Sequence, residues 1–139
     1  MTNTRIMLPI LLLIGAVGAY WMFASNKPTV GKGSAPMVDV RVPDLTSAAV
    51  AGKQLFNQNC ASCHGINAAG TQGVAPPLVH IIYEPNHHGD ASFVVAVKNG
   101  VRAHHWPFGN MPPIDGVSEE EVVLIIQYVR ELQRANGIF

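Results

Sequence analysis

The decapeptide QNCASCHGIN, residues 58–67, constrains this chain more than any other feature. It holds both cysteines of the chain, Cys60 and Cys63, and His64 follows the second directly. Two thiols and an imidazole this close form a holding device, and what they hold decides the fold around them. Structural zinc needs four ligands. This stretch offers at most three, and adjacent Cys63 and His64 seldom both reach one tetrahedral ion. His80, His87 or His88 could add a fourth, but the spacing fits no common zinc finger. A redox dithiol would sit at a strand-to-helix junction of an α/β unit, and no such strand precedes Cys60. C-x-x-C-H is, by contrast, the attachment sequence for c-type haem. Two thiols three residues apart can add to the two vinyl groups on one porphyrin edge, and the next residue presents its imidazole to the iron.

The rest of the chain supplies the setting. Residues 6–24, IMLPILLLIGAVGAYWMFA, carry no charge. At ~1.5 Å per residue they span roughly 28 Å, close to the thickness of a bilayer's hydrocarbon core. Tyr20 and Trp21 lie near the far end, where amphipathic rings favour the interface. A cleaved signal peptide is the competing reading. The run is longer than a usual signal core, however, and its best cleavage site, Val17-Gly18-Ala19, falls inside it. Residues 1–24 are therefore read as a membrane anchor. Residues 25–46, which carry three prolines and two glycines and have no helical period, read as a flexible linker. Residues 47–139 form one small domain. Formal net charge is zero, which gives no sign of a nucleic-acid partner.

Three helices are expected in that domain, and no sheet. The first covers about 47–59 and runs into the cysteine motif. The second covers about 91–99, with Asp90 as N-cap, Phe93, Val94 and Val97 as its apolar face and Gly100 as its stop. The third is announced by a capping box, Ser118 with Glu121, and by Val122, Ile125, Ile126, Val129 and Leu132 at helical spacing. Arg130 and Arg134 fall at its negative end, and Gly137 closes it. Three short helices and long loops bury little apolar surface, so a large apolar cofactor is expected to complete the core.

A haem iron needs a second axial ligand, or an open position for a gas or peroxide. Met111, in PFGNMPP, is the single methionine after His64, and the following prolines stiffen its loop. His104 and His105 compete for the role. Together these residues resemble the class I c-type cytochromes over about residues 48–135. AGKQLFNQNCASCHG is similar to the family's first helix and haem motif, APPL (75–78) to its proline–leucine loop, GNMPP to its methionine loop, and LIIQYVRELQ to its last helix.

The resemblance implies an all-α domain wrapped around one haem c, preceded by the N-terminal transmembrane helix. It implies thioether bonds from Cys60 and Cys63, His64 and Met111 as iron ligands, the Pro76 carbonyl as partner of His64, and Leu78 against the haem. It also implies that Gly52 and Phe56 cross Ile125 and Tyr128. Trp106 and Arg102 are candidates to hold a haem propionate. The domain departs from the family's lysine-rich carriers: Lys53, Lys98, Arg102, Arg130 and Arg134 face seven carboxylates. The pairs His87-His88 and His104-His105 lie outside the family pattern and read as solvated loop residues.

Haem attachment takes place outside the cytoplasm, so the domain is expected on the periplasmic side of the inner membrane. The expected function is tethered one-electron transport rather than enzymatic catalysis. The partners would be membrane redox proteins: a quinol-oxidising complex, terminal oxidase, dehydrogenase or reaction centre. The alternatives are a fixed haem subunit of a larger complex, or a haem enzyme or gas sensor with a labile distal ligand.

Overall fold

A computed structural model describes residues 35–139, so the expected anchor over 6–24 and residues 25–34 of the expected linker lie outside the described residues. Among the described residues no helix is long and apolar enough to cross a membrane. Four α-helices follow one another among the described residues: α1 (Ser47–Asn59), α2 (Ala61–His64), α3 (Asp90–Asn99) and α4 (Glu119–Ala135). Short 3-10 turns at Ile66–Ala68 and Ile81–Tyr83 join them. As expected there is no strand among the described residues, and two isolated bridges, Thr71 with Ala75 and Val101 with Met111, are the only β pairing found there.

The helix ends explain themselves. Thr46 caps α1, its hydroxyl accepting from the Ala49 N–H at 3.3 Å and donating to Glu131 of α4 at 2.6 Å. α4 begins with the expected capping box, in which the Ser118 hydroxyl accepts from the Glu121 N–H and the Glu121 carboxylate accepts from the Ser118 N–H. It ends in a Schellman motif: Gly137 (φ +79°) and Ile138 donate to Arg134 and Gln133.

The core is the crossing of α1 and α4. Ala49 and Phe56 of α1 pack with Ile125, Tyr128, Val129 and Leu132 of α4, all buried. A methyl group on Gly52 would stand 1.9 Å from the Leu124 carbonyl oxygen, so the two backbones approach as closely as glycine allows. Phe56 meets Tyr128 edge to face at 5.6 Å, a contact aromatic rings prefer. The Tyr128 hydroxyl donates to Asn67 at 3.2 Å, and burial pushes its pKa up to about 12.

Three expectations need correction. Residues 35–46 are not a free linker but a strap along the domain. The N–H groups of Met37 and Val38 donate to the Ala69 carbonyl, and Val40 and Leu45 pack on the core. Arg41 exchanges hydrogen bonds with Asn136 at 2.9 and 2.8 Å, and its guanidinium donates to the Ala135 carbonyl. The strap thereby satisfies one carbonyl, that of Ala135, that the end of α4 would otherwise leave open. Its prolines favour an extended chain, which suits docking as well as it suits a spacer.

Asp90, second, is not the N-cap of α3. That position is Gly89, which makes no side-chain bond, and the Asp90 carboxylate turns to Arg130 Nε at 2.8 Å. Arg130, third, does not serve the negative end of α4 in solvent. It is buried, donating to the carbonyls of Tyr83 (2.7 Å) and His88 (2.5 Å) and to Gln133 Oε1 (2.6 Å). Gln133 in turn donates to the carbonyls of Leu78 and Tyr83 at 2.8 and 2.9 Å. These two side chains hold the segment 78–89, which has no regular structure of its own beyond one 3-10 turn.

Removing a donor from buried acceptors costs about 1–3 kcal/mol for each group left unpaired. Arg130→Met is therefore expected to destabilise the holoprotein by ~3 kcal/mol or more. Asp90→Asn, whose side chain is largely exposed, should cost under ~1 kcal/mol. Denaturant midpoints of the two variants check this, and near-equal losses would show that the ion pair rather than the carbonyl contacts matters.

Candidate functional site

The cysteine motif hangs from the end of α1. The Cys60 N–H still donates to Phe56, and the N–H groups of Cys63 and His64 return to the Cys60 carbonyl at 3.1 and 2.9 Å. All three side chains therefore leave one tight turn, which Gly65 closes. Gly65 has φ +75°, and a methyl group on it would lie 2.5 Å from the Gly70 carbonyl oxygen. The two thiols are free; Cys60 is half-buried and Cys63 exposed. Burial, and then the neighbouring Cys63, pushes the Cys60 pKa up to about 11. A redox dithiol works through a lowered thiol pKa, so this environment argues against one.

His64 Nδ1 meets the Pro76 carbonyl at 2.9 Å, the contact the resemblance implied. A carbonyl can only accept, so Nδ1 carries the proton and Nε2 presents a lone pair. Burial lowers the His64 pKa, with the Pro76 bond opposing it in part, which favours the neutral ring a metal needs. Pro76 is placed by its neighbours. Pro77 is buried against Gly70, and the Leu78 N–H donates to Ala68 at 2.9 Å.

Met111 lies on the other side of the sequence, in a loop pinned by its own main chain. Its N–H and carbonyl pair with those of Val101, both at 2.9 Å, and the Asn110 side chain accepts from the Ala103 N–H at 2.9 Å. Gly100 (φ +72°) makes that pairing possible, since a methyl group there would meet the Met111 carbonyl oxygen at 2.5 Å. No hydrogen bond joins this loop to the cysteine turn. His104 and His105, the competitors of Met111, are exposed and pack on His87 and His88, His105 lying 5.3 Å from each.

Two observations show that these residues fit a haem. Trp106 is half-buried, yet its indole nitrogen is buried without a hydrogen-bond partner. Burial raises the pKa of the nearby Tyr83 hydroxyl and the indole lowers it, but the two fall short of hydrogen-bond geometry. A buried donor of this kind calls for an acceptor, and a propionate supplies one. In addition, no residue from 80 to 121 is fully buried, although the stretch carries Phe93, Val97, Trp106, Phe108 and Met111. Arg102, the other propionate candidate, is exposed, and its carbonyl accepts from His104 Nδ1 at 2.8 Å. Leu78 is half-buried beside the core.

The sequence reading missed Arg130, Gln133 and the strap. It also missed that the two histidine pairs meet. Nothing in the spacing of residues 87–88 and 104–105 signals that contact, which depends on how two loops fold.

Gly100 and Gly109 provide a paired test of the Met111 loop. Both have positive φ, but the space around Gly109 is open. Gly109→Ala should cost about 1 kcal/mol of backbone strain, and Gly100→Ala roughly 3 kcal/mol or more because the Met111 main chain must also move. Equal denaturation midpoints for the two variants would show that the bridge to Met111 is loose.

Comparison with known proteins follows the same outline. The family model for Cytochrome c matches residues 49–133. Curated relatives include the cytochrome bc1 complex cytochrome c subunits of Mycobacterium bovis and Mycobacterium tuberculosis. Each is 36% identical over 67 residues, covering 47% of this chain and 21% of the relative. The chain thus spans about a fifth of the length of these relatives. No solved structure matches it.

Proposed function

This chain belongs to the cytochrome c family, and on that premise we propose that it is a membrane-tethered periplasmic electron carrier. It is a haem protein of electron transfer, with one haem c bound covalently through Cys60 and Cys63. The haem supplies reversible one-electron exchange at its iron; the protein supplies the ligands, the orientation and the exclusion of water.

In this reading His64 is the proximal ligand. The carrying observation is its 2.9 Å bond to Pro76, which fixes the ring and directs Nε2 outward. Met111 is the distal ligand, held by a loop whose backbone is tied at both ends. His104 and His105 are less suited because they are engaged with the opposite histidine pair. With His64 and Met111 both holding the iron, no coordination position would remain for a substrate, and the chemistry would reduce to gaining and losing one electron. Trp106 would donate to a propionate, Arg102 would pair with one by charge, and Leu78 would cover the haem.

The sequence and the strap together support a tether. With residues 35–46 docked, residues 25–34 can span at most about 35 Å between the apolar run and the domain. Such a short reach suits partners in the same membrane, and confinement there raises the effective concentration without a strong charge ring. That agrees with the slightly acidic domain. The second reading, a fixed subunit of a respiratory complex, draws support from the relatives, which are named as subunits of the cytochrome bc1 complex.

Met111→Ala should leave the haem attached but open the iron. Loss of the thioether should lower the potential, and carbon monoxide should bind the reduced protein readily. A low-spin spectrum with unchanged potential would remove Met111 from the site and make His104 or His105 the ligand.

Gently solubilised membranes separate carrier from subunit. At high salt the carrier should migrate alone, because short-lived polar contacts are screened. Stoichiometric co-migration with a larger complex would establish the subunit reading. A mature N-terminus near Tyr20, found by mass spectrometry, would remove the tether.

A further inference from the structure

The histidines that the haem reading leaves unused come together on one side of the domain. His87 and His88 belong to the turn before α3, His105 to the loop that ends at Met111. We infer that His87, His88 and His105 form a second metal site, which takes one divalent transition-metal ion of the borderline class, Zn2+ or Cu2+.

The geometry is close to what such an ion requires. One ring nitrogen from each of the three residues lies within 4.8 Å of the others. His87 Nε2 and His105 Nε2 are 3.4 Å apart. A tetrahedral ion with bonds of ~2.0–2.1 Å sets its nitrogens about 3.3–3.4 Å apart, so one edge of the tetrahedron already stands. The third nitrogen, on His88, lies within 4.8 Å of both.

The surroundings prepare the ligands. His88 Nδ1 donates to the Ile82 carbonyl at 2.6 Å, which fixes the tautomer with a lone pair on Nε2. The main chain of His88 is anchored too: its N–H donates to Glu84 at 2.8 Å and its carbonyl accepts from buried Arg130. Across the site, the His104 ring lies 4.2 Å from that of His105, and its own Nδ1 is turned to the Arg102 carbonyl. His104 flanks the site, but the nitrogens that lie within 4.8 Å of one another are those of His87, His88 and His105.

The donor set selects the class of ion. Imidazole nitrogens with no carboxylate among them suit Zn2+ or Cu2+, whereas Mg2+ and Ca2+ require oxygen. Three protein ligands leave a fourth position for water. His87 and His105 are exposed, so an ion can enter without unfolding. The bound ion would join the 84–88 turn to the loop that carries Met111. This site rests on the reading that Met111, not His105, holds the haem iron.

The test uses oxidised, chelator-treated holoprotein titrated with Zn2+ by calorimetry and with Cu2+ by electron paramagnetic resonance. One ion per chain is expected, with a copper signal coupled to several imidazole nitrogens and no competition from Mg2+. His87→Ala and His105→Ala should each weaken binding about 100-fold or more, since even outer-shell partners change affinity 10–100-fold. His104→Ala should change it less than about tenfold. An unaltered haem spectrum in each variant shows that the fold is intact. Two results would overturn the site. If His87→Ala and His105→Ala titrate like the parent protein, or if the parent protein binds no ion, the 3.4 Å contact is an N–H···N hydrogen bond alone. If His104→Ala is as damaging as His105→Ala, the three ligands are wrongly assigned.

Discussion

The close crossing of α1 and α4 at Gly52 fixes the position of everything else. The first helix ends in the turn that carries Cys60, Cys63 and His64. The last helix presents Phe56's partner Tyr128 on one flank and Arg130 and Gln133 on another. A methyl group at position 52 would enter the Leu124 carbonyl, so the two helices would have to part. Separating them would move the cysteine turn relative to the buried pair that holds the loops.

From that crossing the structure extends outward through main-chain carbonyls more than through side-chain packing. Arg130 and Gln133 gather the carbonyls of Leu78, Tyr83 and His88. Leu78 follows Pro76 and Pro77, and Pro76 orients His64. One face of α4 thus positions the proline loop and, through it, the imidazole ring. The same face places the His87-His88 turn. Loops without a core of their own can hold a cofactor in register because their backbone acceptors are bound to a rigid helix.

How far the sequence could be read depended on the range of the interactions. Helix α1 over 47–59, the capping box at Ser118 and the terminal glycine at 137 are local signals, and the structure reproduces each. The His64–Pro76 bond was legible through resemblance, since nothing in twelve residues of separation dictates it. Arg130 was misread because an arginine near a helix end fits the dipole rule as well as it fits a buried clamp, and only tertiary contacts choose between them. Asp90 was misread for the same reason: a capping residue two-thirds exposed was free to turn toward a guanidinium. The strap was misread because proline and glycine mark the absence of helix, not the absence of docking.

The histidine pairs carry this argument one step further. A pair of adjacent histidines on a loop has a bland reading in any sequence, and two such pairs have it twice. Their meeting follows from the elements already described. Arg130 holds the carbonyl of His88, and the bridge between Val101 and Met111 returns the second loop to its start. The residues between those two bridge points, His104 and His105 among them, must then project from a closed loop. The bridge that pins Met111 also closes the loop from which His105 meets His87. A family fold could in this way acquire a second site with no new element, since a loop with fixed ends can carry further side chains into a set position.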